Sequence, residues 1–171
     1  FAQRHGLKIG TIEDLIAFRL GNDRIVRPVA TRRVESVIAG AFDLHVYETT
    51  VEPVEHLALV KGDLSKSGPV LVRVHAVNML GDVLGIGTAG NKGSVVEKSM
   101  RAIEKEGRGV IVLIRDLRPK SVSEWVAASA QPAKGRTPGL DRRRVEIGVG
   151  AQILRELGVR DMILLSNSPA S

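Results

Sequence analysis

The sequence predicts a mixed α/β (α+β) domain. Between residues 24 and 77 it consists of β-type runs that are separated by short turn signals. From Val96 onward, helical spacing alternates with a continuous apolar run over residues 109–114. Strands first, followed by alternating helices and strands, are typical of this architecture.

The chain opens with a predicted helix that begins at Thr11. Thr11-Ile12-Glu13-Asp14 has the pattern of a capping box, in which the threonine side chain and the acid satisfy free backbone N–H groups. Gly21-Asn22 then supplies a helix stop.

Four β-type runs follow. Apolar and polar residues alternate within residues 42–47, as they do in a half-buried strand. Gly40 predicts a hairpin before this run, and residues 65–69 predict a turn before the last one. The four predicted strands cover residues 24–39, 42–47, 56–60 and 70–77.

The second half changes from strand to helical spacing. Val96, Met100 and Ile103 predict a helix that ends near Gly107. The apolar run at 109–114 has the character of a strand that is buried on both faces. Further predictions are a short helix over 123–130, a loop over 131–140, a helix with Ile147, Ala151 and Leu154 on one face up to Gly158, and a strand over 161–165.

The composition excludes some classes of function and disfavours others. The 171 residues suit one domain, and no apolar run reaches the roughly 18 residues of a membrane span. The absence of cysteine excludes disulfides and thiolate metal sites, and it fits the cytoplasmic location that we expect. The net charge of +6 is mostly dispersed, and with only 3% aromatic residues there is no stacking platform for single-stranded nucleic acid. Nucleic-acid binding is therefore disfavoured.

Two parts of the chain resemble known families. Residues 1–16 are similar to the closing segment of 3,4-dihydroxy-2-butanone 4-phosphate synthase. A second resemblance is carried, in order, by the stretches 58–63, 69–75, 80–82, 106–109, 148–154, 157–159 and 164–169. Through them the chain from about residue 32 resembles GTP cyclohydrolase II. These two enzymes are commonly fused with the synthase first, so the resemblance implies a synthase tail at residues 1–25 and a GTP cyclohydrolase II-like domain at residues 26–171.

The family resemblance implies a mixed sheet flanked by helices and a homodimer. It also implies hydrolysis of GTP to release formate and pyrophosphate, with zinc on three cysteines and magnesium on the phosphates. Asn78 stands where the first zinc cysteine is expected, and residues 87–93 contain no Cys-x-Cys. We therefore expect no zinc and no metal ligands, with magnesium only if a nucleotide binds.

The catalytic residues that the family implies are also altered. Its Asp-x-Arg pair would fall, without gaps, on Arg143 and Val145. An Asp-x-Arg exists two residues earlier, so Asp141 and Arg143 become catalytic candidates only if the loop register is shifted.

Four residues of the family's site are retained, and the resemblance makes them candidates for binding phosphate or nucleotide through charge-assisted hydrogen bonds. Two of them have a structural alternative. His75 could be a histidine that is hydrogen-bonded within a strand, and Arg108 could be a cation that interacts favourably with a helix C-terminus. The four are Arg73, His75, Arg108 and Ser166.

A dinucleotide site is a competing interpretation. Residues 85–90 match G-x-G-x-x-G, and Asp116 ends the next predicted strand, where a ribose-binding acid could lie. Residues 80–82 separate these glycines from the preceding strand, however, so the tight strand–turn–helix connection is loosened.

Together these features predict a zinc-free, non-catalytic GTP cyclohydrolase II-like domain that supports or regulates a synthase half, with GTP or another phosphorylated metabolite as a ligand. The alternative is a chain that still hydrolyses GTP or acts on another nucleotide.

Overall fold

The computed structural model describes residues 23–50, 53–86, 94–116, 121–129 and 140–166. The helix expected from Thr11, most of the loop expected over 131–140 and the last four residues of the glycine motif lie outside these ranges.

The described residues form six strands, with the bounds β1 Val26–Ser36, β2 Gly40–Thr49, β3 Glu55–Lys61, β4 Val70–Ala76, β5 Gly109–Ile114 and β6 Met162–Leu164. They make one mixed sheet in the order β1-β2-β3-β5-β4-β6. The β1–β2, β2–β3 and β3–β5 pairs are antiparallel, whereas β4 runs parallel to both β5 and β6. The predicted strands and the predicted mixed sheet are thereby confirmed.

Four helices are described, and three of them were expected. Ser94 caps the second helix by accepting the N–H of Glu97 on its hydroxyl, and Gly107 ends it with a positive φ that glycine adopts easily. Within the described ranges, no helix has the length and apolar character that spanning a membrane requires. The bounds are α1 Met79–Asp82, α2 Val95–Glu106, α3 Ser121–Ser129 and α4 Leu140–Glu156.

Helices cover both faces of the sheet because the alternating side chains of the central strands are apolar on both sides. On one face, Val110 and Val112 of β5 pack with Ile153 of α4 in the larger core cluster. On the other face, Ile111 packs with Ile103 of α2 in the smaller cluster. The prediction that β5 is buried on both faces is therefore confirmed.

Helix α4 buries only part of the face that we predicted. Leu154 is buried as expected, but Ile147 is 66% exposed and Ala151 is exposed, and Val149 and Ile153 are buried in their place. Gly150 explains this orientation, because a Cβ there would lie 2.9 Å from a methyl group of Val74. The missing side chain thus lets α4 approach β4 closely along the Val149–Ile153 face.

Candidate functional site

The parallel strands β4, β5 and β6 end at the same edge of the sheet, which is where open α/β sheets usually bind ligands. At this edge the chain leaves β4 into Asn78 and α1, leaves β5 into Arg115 and Asp116, and leaves β6 into Leu165 and Ser166. Three of the four predicted binding residues, Arg73, His75 and Ser166, lie on or beside this edge.

Arg73 is held between β4 and the end of β6. Its Nη1 donates to the backbone oxygen of Leu165 at 2.8 Å, and the N–H of Leu165 donates to Val72 at 2.7 Å. Burial lowers the pKa of Arg73 from its ordinary value, and the nearby Asp82 carboxylate acts in the opposite direction. The exposed Ser166 follows directly after this anchored residue.

His75 lies on the same face of β4 as Arg73, because alternate residues of a strand share a face. Its Nε2 is 2.8 Å from Oδ2 and 3.0 Å from Oδ1 of Asp82. Both side chains are largely buried, at 13% and 17% exposed. The proposed structural alternative for His75, a hydrogen-bonded strand histidine, matches this geometry.

Asn78 forms the turn that brings Asp82 back to β4. Its Oδ1 accepts the N–H groups of Leu80 at 3.0 Å and Gly81 at 3.3 Å, so it caps α1. The backbone N–H of Asn78 donates in turn to Oδ2 of Asp82 at 2.8 Å. Asp82 therefore joins β4 to both ends of this short helix.

A second histidine lies near the same edge, on the opposite face. His56 is 5% exposed, and its Nδ1 accepts the backbone N–H of Arg115 at 3.1 Å. Burial and then the positive charge of Arg115 lower its pKa below the ordinary 6.5. The acceptor role of Nδ1 requires a ring that is neutral, so His56 is a structural histidine here.

Arg108 does not join the other three candidates. It precedes β5 at the opposite edge of the sheet, where its guanidinium donates to the backbone oxygens of residues 66 to 69 at 2.9–3.2 Å. Asp141 and Arg143 fall in the first turns of α4, where the structure describes the backbone but not the side chains.

The described part of the edge does not fit zinc. The amide oxygen of Asn78 is used in capping α1, and Nε2 of His75 faces the Asp82 carboxylate. Among the residues that the structure describes, no three His, Cys, Asp or Glu side chains come together to hold a metal ion. Zinc sites need three or four such ligands.

Sequence reasoning missed Asp82 as the partner of His75 and Asn78 as the cap of α1. A signal was available, since Asn78 followed four residues later by Asp82 has the form of a helix N-cap with an acid in the first turn. The helix is only four residues long, which is too short for hydrophobic spacing to reveal it.

This chain belongs to the GTP cyclohydrolase II family, whose model matches residues 27–171. Among solved structures it is similar to RibBX, a two-domain 3,4-dihydroxy-2-butanone 4-phosphate synthase from A. baumannii. The two chains are 37% identical with a TM-score of 0.67, over 99% of this chain and 42% of that one. The expected family and fold are thereby confirmed.

Two curated relatives also match nearly the whole of this chain. A monofunctional riboflavin biosynthesis protein of Arabidopsis thaliana, RIBA 2, is 35% identical over 99% of this chain and 36% of its own length. A 3,4-dihydroxy-2-butanone 4-phosphate synthase of Pseudomonas syringae pv. tomato is 35% identical over 93% of this chain and 43% of its own. The chain thus spans less than half the length of each protein.

Proposed function

We propose that this domain is a zinc-free, non-catalytic member of the GTP cyclohydrolase II family. In this account it is the second half of a riboflavin-biosynthesis fusion, and it supports or regulates a preceding dihydroxybutanone phosphate synthase half. Residues 1–25 would be the tail of that half, and the assembled protein would be a homodimer.

The proposal rests on the role of Asn78 as the N-cap of α1. This residue stands where the family resemblance implies a zinc cysteine, and the whole chain contains no cysteine. Its side chain caps α1, and the Asp82 carboxylate links the same turn to His75. Hydrogen bonds within the protein thereby stabilise a turn that carries no thiolate for a metal.

The names of similar proteins include some that support this proposal. One relative is named as a synthase alone and the solved neighbour as a two-domain synthase, although both match this chain over nearly its full length. These two names are those expected if the second half of a fusion retains its fold without its own reaction. Other relatives are named bifunctional, which is the name expected under the alternative of continued GTP hydrolysis.

A residual ligand site is compatible with this role. Arg73, His75 and Ser166 lie at or beside the carboxyl edge of the parallel strands, where the sheet can present polar groups to a phosphorylated metabolite. The second candidate function, continued GTP hydrolysis, would need Asp141 and Arg143 to act as a catalytic pair.

Metal analysis tests the zinc-free part of the proposal. The purified protein is incubated with zinc, passed through a desalting column and analysed for bound metal, and its melting temperature is measured with zinc and with EDTA. We expect less than stoichiometric zinc and the same melting temperature in both conditions, since a structural metal would stabilise the fold. One tightly bound zinc per chain, with a melting temperature lowered by EDTA, would contradict the proposal.

A further inference from the structure

We infer that helix α4 contains a docking site for the segment that leads into this domain, so that the preceding half is held at a fixed angle. The site consists of Gln152 and Glu156, and its occupant is the chain segment 23–26, named here the entry segment. The inference rests on the proposed function in one respect, since it takes the partner to be a synthase half of the same chain.

The side-chain amide of Gln152 holds the entry segment at two points. Its Oε1 accepts the backbone N–H of Ile25 at 2.9 Å, and its Nε2 donates to the backbone oxygen of Asp23 at 2.8 Å. One bond needs an acceptor and the other needs a donor, and the side-chain amide of glutamine supplies both. Gln152 is 127 residues from Ile25 and 129 from Asp23 in the sequence, so the two bonds form only in the folded domain.

The other side of the entry segment is also fixed. The carbonyl of Ile25 accepts the backbone N–H of Thr50 at 2.8 Å. The side chains of Ile25 and Val26 are 5% and 1% exposed, and both belong to the core cluster that contains Ile153 of α4. Apolar burial therefore anchors the segment in position, while Gln152 and Thr50 define its direction.

A charged contact extends the site by one helical turn. Nη2 of Arg24 forms an ion pair with Oε2 of Glu156, four residues after Gln152 and on the same face of α4. The Arg24 side chain is 69% exposed, so this pair adds little to stability by itself. It does add a third contact that favours one path of the backbone.

The anchored entry segment limits the orientations that a preceding domain can adopt. A flexible linker would let a preceding domain sample many orientations. Here the chain has a fixed position and direction from Asp23 onward, and the buried side chains of Ile25 and Val26 follow two and three residues later. The position of α4 is thereby coupled to the direction in which the preceding chain leaves the domain.

Hydrogen exchange tests the docking site directly. Gln152→Ala removes both amide contacts, whereas Gln152→Glu keeps an acceptor for the Ile25 N–H and loses the donor to Asp23. Arg155→Ala, at an exposed position of the same turn, is the matched control. In Gln152→Ala we expect the Ile25 amide to exchange at least about fivefold faster, because a lost hydrogen bond exposes a local site. Gln152→Glu should have a smaller effect, and the control none.

The full-length protein tests the fixed angle. A spin label in each half, with the distances measured by pulsed electron resonance, should give a narrow distribution in the wild type and a broader one in Gln152→Ala. Unchanged exchange at Ile25, or a distribution that is already broad in the wild type, would overturn the inference. A broadened distribution with unchanged synthase kcat and KM would uphold the docking site and count against the supporting role instead.

Discussion

Oδ2 of Asp82 lies 2.8 Å from Nε2 of His75 and also accepts the backbone N–H of Asn78 at 2.8 Å. One carboxylate oxygen thus joins a sheet strand to the turn that leaves it. We regard this contact as the main support of the edge where the family resemblance implies a metal.

Removing the carboxylate of Asp82 should destabilise the domain. We expect Asp82→Ala to lower the free energy of unfolding by about 1–3 kcal/mol, because it leaves a largely buried histidine nitrogen and a backbone N–H without their acceptor. Urea denaturation of the two proteins measures the difference. Asp82→Asn, which keeps one oxygen for the Asn78 N–H, should lose less. Equal stability of the Ala variant and the wild type would contradict this role.

Arg108 should act as a structural clamp that lysine cannot replace. Its guanidinium contacts four backbone oxygens of the turn that precedes β4. A lysine ammonium keeps the charge but cannot reproduce this planar fork, so Arg108→Lys should cost about 1–2 kcal/mol. Thermal unfolding with Lys66→Arg as a control would measure it. A loss of ligand affinity without any loss of stability would instead favour the phosphate-binding role.

The stability of the domain should fall as the solution becomes acidic, partly through His56. The pKa of this residue is lowered in the folded state by burial and by Arg115, so the unfolded chain binds its proton more readily. The contribution is fully present above the ordinary pKa of 6.5 and is lost as pH falls from there toward the folded-state pKa. Protonation would also put a hydrogen on Nδ1 of His56, which could then no longer accept the backbone N–H of Arg115.

The check is the free energy of unfolding at several pH values between about 7.5 and 5. His56→Gln should show a shallower decline with falling pH than the wild type does. Parallel curves for the two proteins would mean that His56 does not contribute to this pH dependence.

Gly109 should tolerate no side chain. A Cβ at this position would lie 2.6 Å from Cγ1 of Ile103 and 2.7 Å from the backbone oxygen of Leu71. We expect Gly109→Ala to lower the free energy of unfolding by about 1–3 kcal/mol, since α2 or β4 must move to make room. Gly107→Ala is the comparison, because that site is open and only its positive φ adds a cost. A Gly109 variant as stable as the wild type would show that the close contact is not restrictive.

Local patterns predicted most of the fold. The strands and α2 follow from alternation, helical spacing and end signals such as Gly107, which act over a few residues. The buried face of α4 could be predicted only in part, through Leu154. Ile147 with Ala151 and Val149 with Ile153 have the same spacing, and the close approach of Gly150 to Val74 favours burial of the second pair.

The site was less predictable, because its contacts join distant residues. Arg73, His75 and Ser166 became candidates through the family resemblance, which marks positions but not their partners. The clamp made by Arg108 depends on oxygens about forty residues earlier in the chain. The contact of Arg73 with Leu165 spans 92 residues. Neither contact leaves a periodic signal in the sequence.

The central claim is that this domain does not hydrolyse GTP. The most direct test is to incubate the purified protein with GTP, zinc and magnesium and to measure formate, with a zinc-dependent family member as the positive control. The account predicts formate at the level of the protein-free background, with or without added metal. Formate release above that level, abolished by Asp141→Asn or Arg143→Ala, would contradict it and identify those two residues as the catalytic pair.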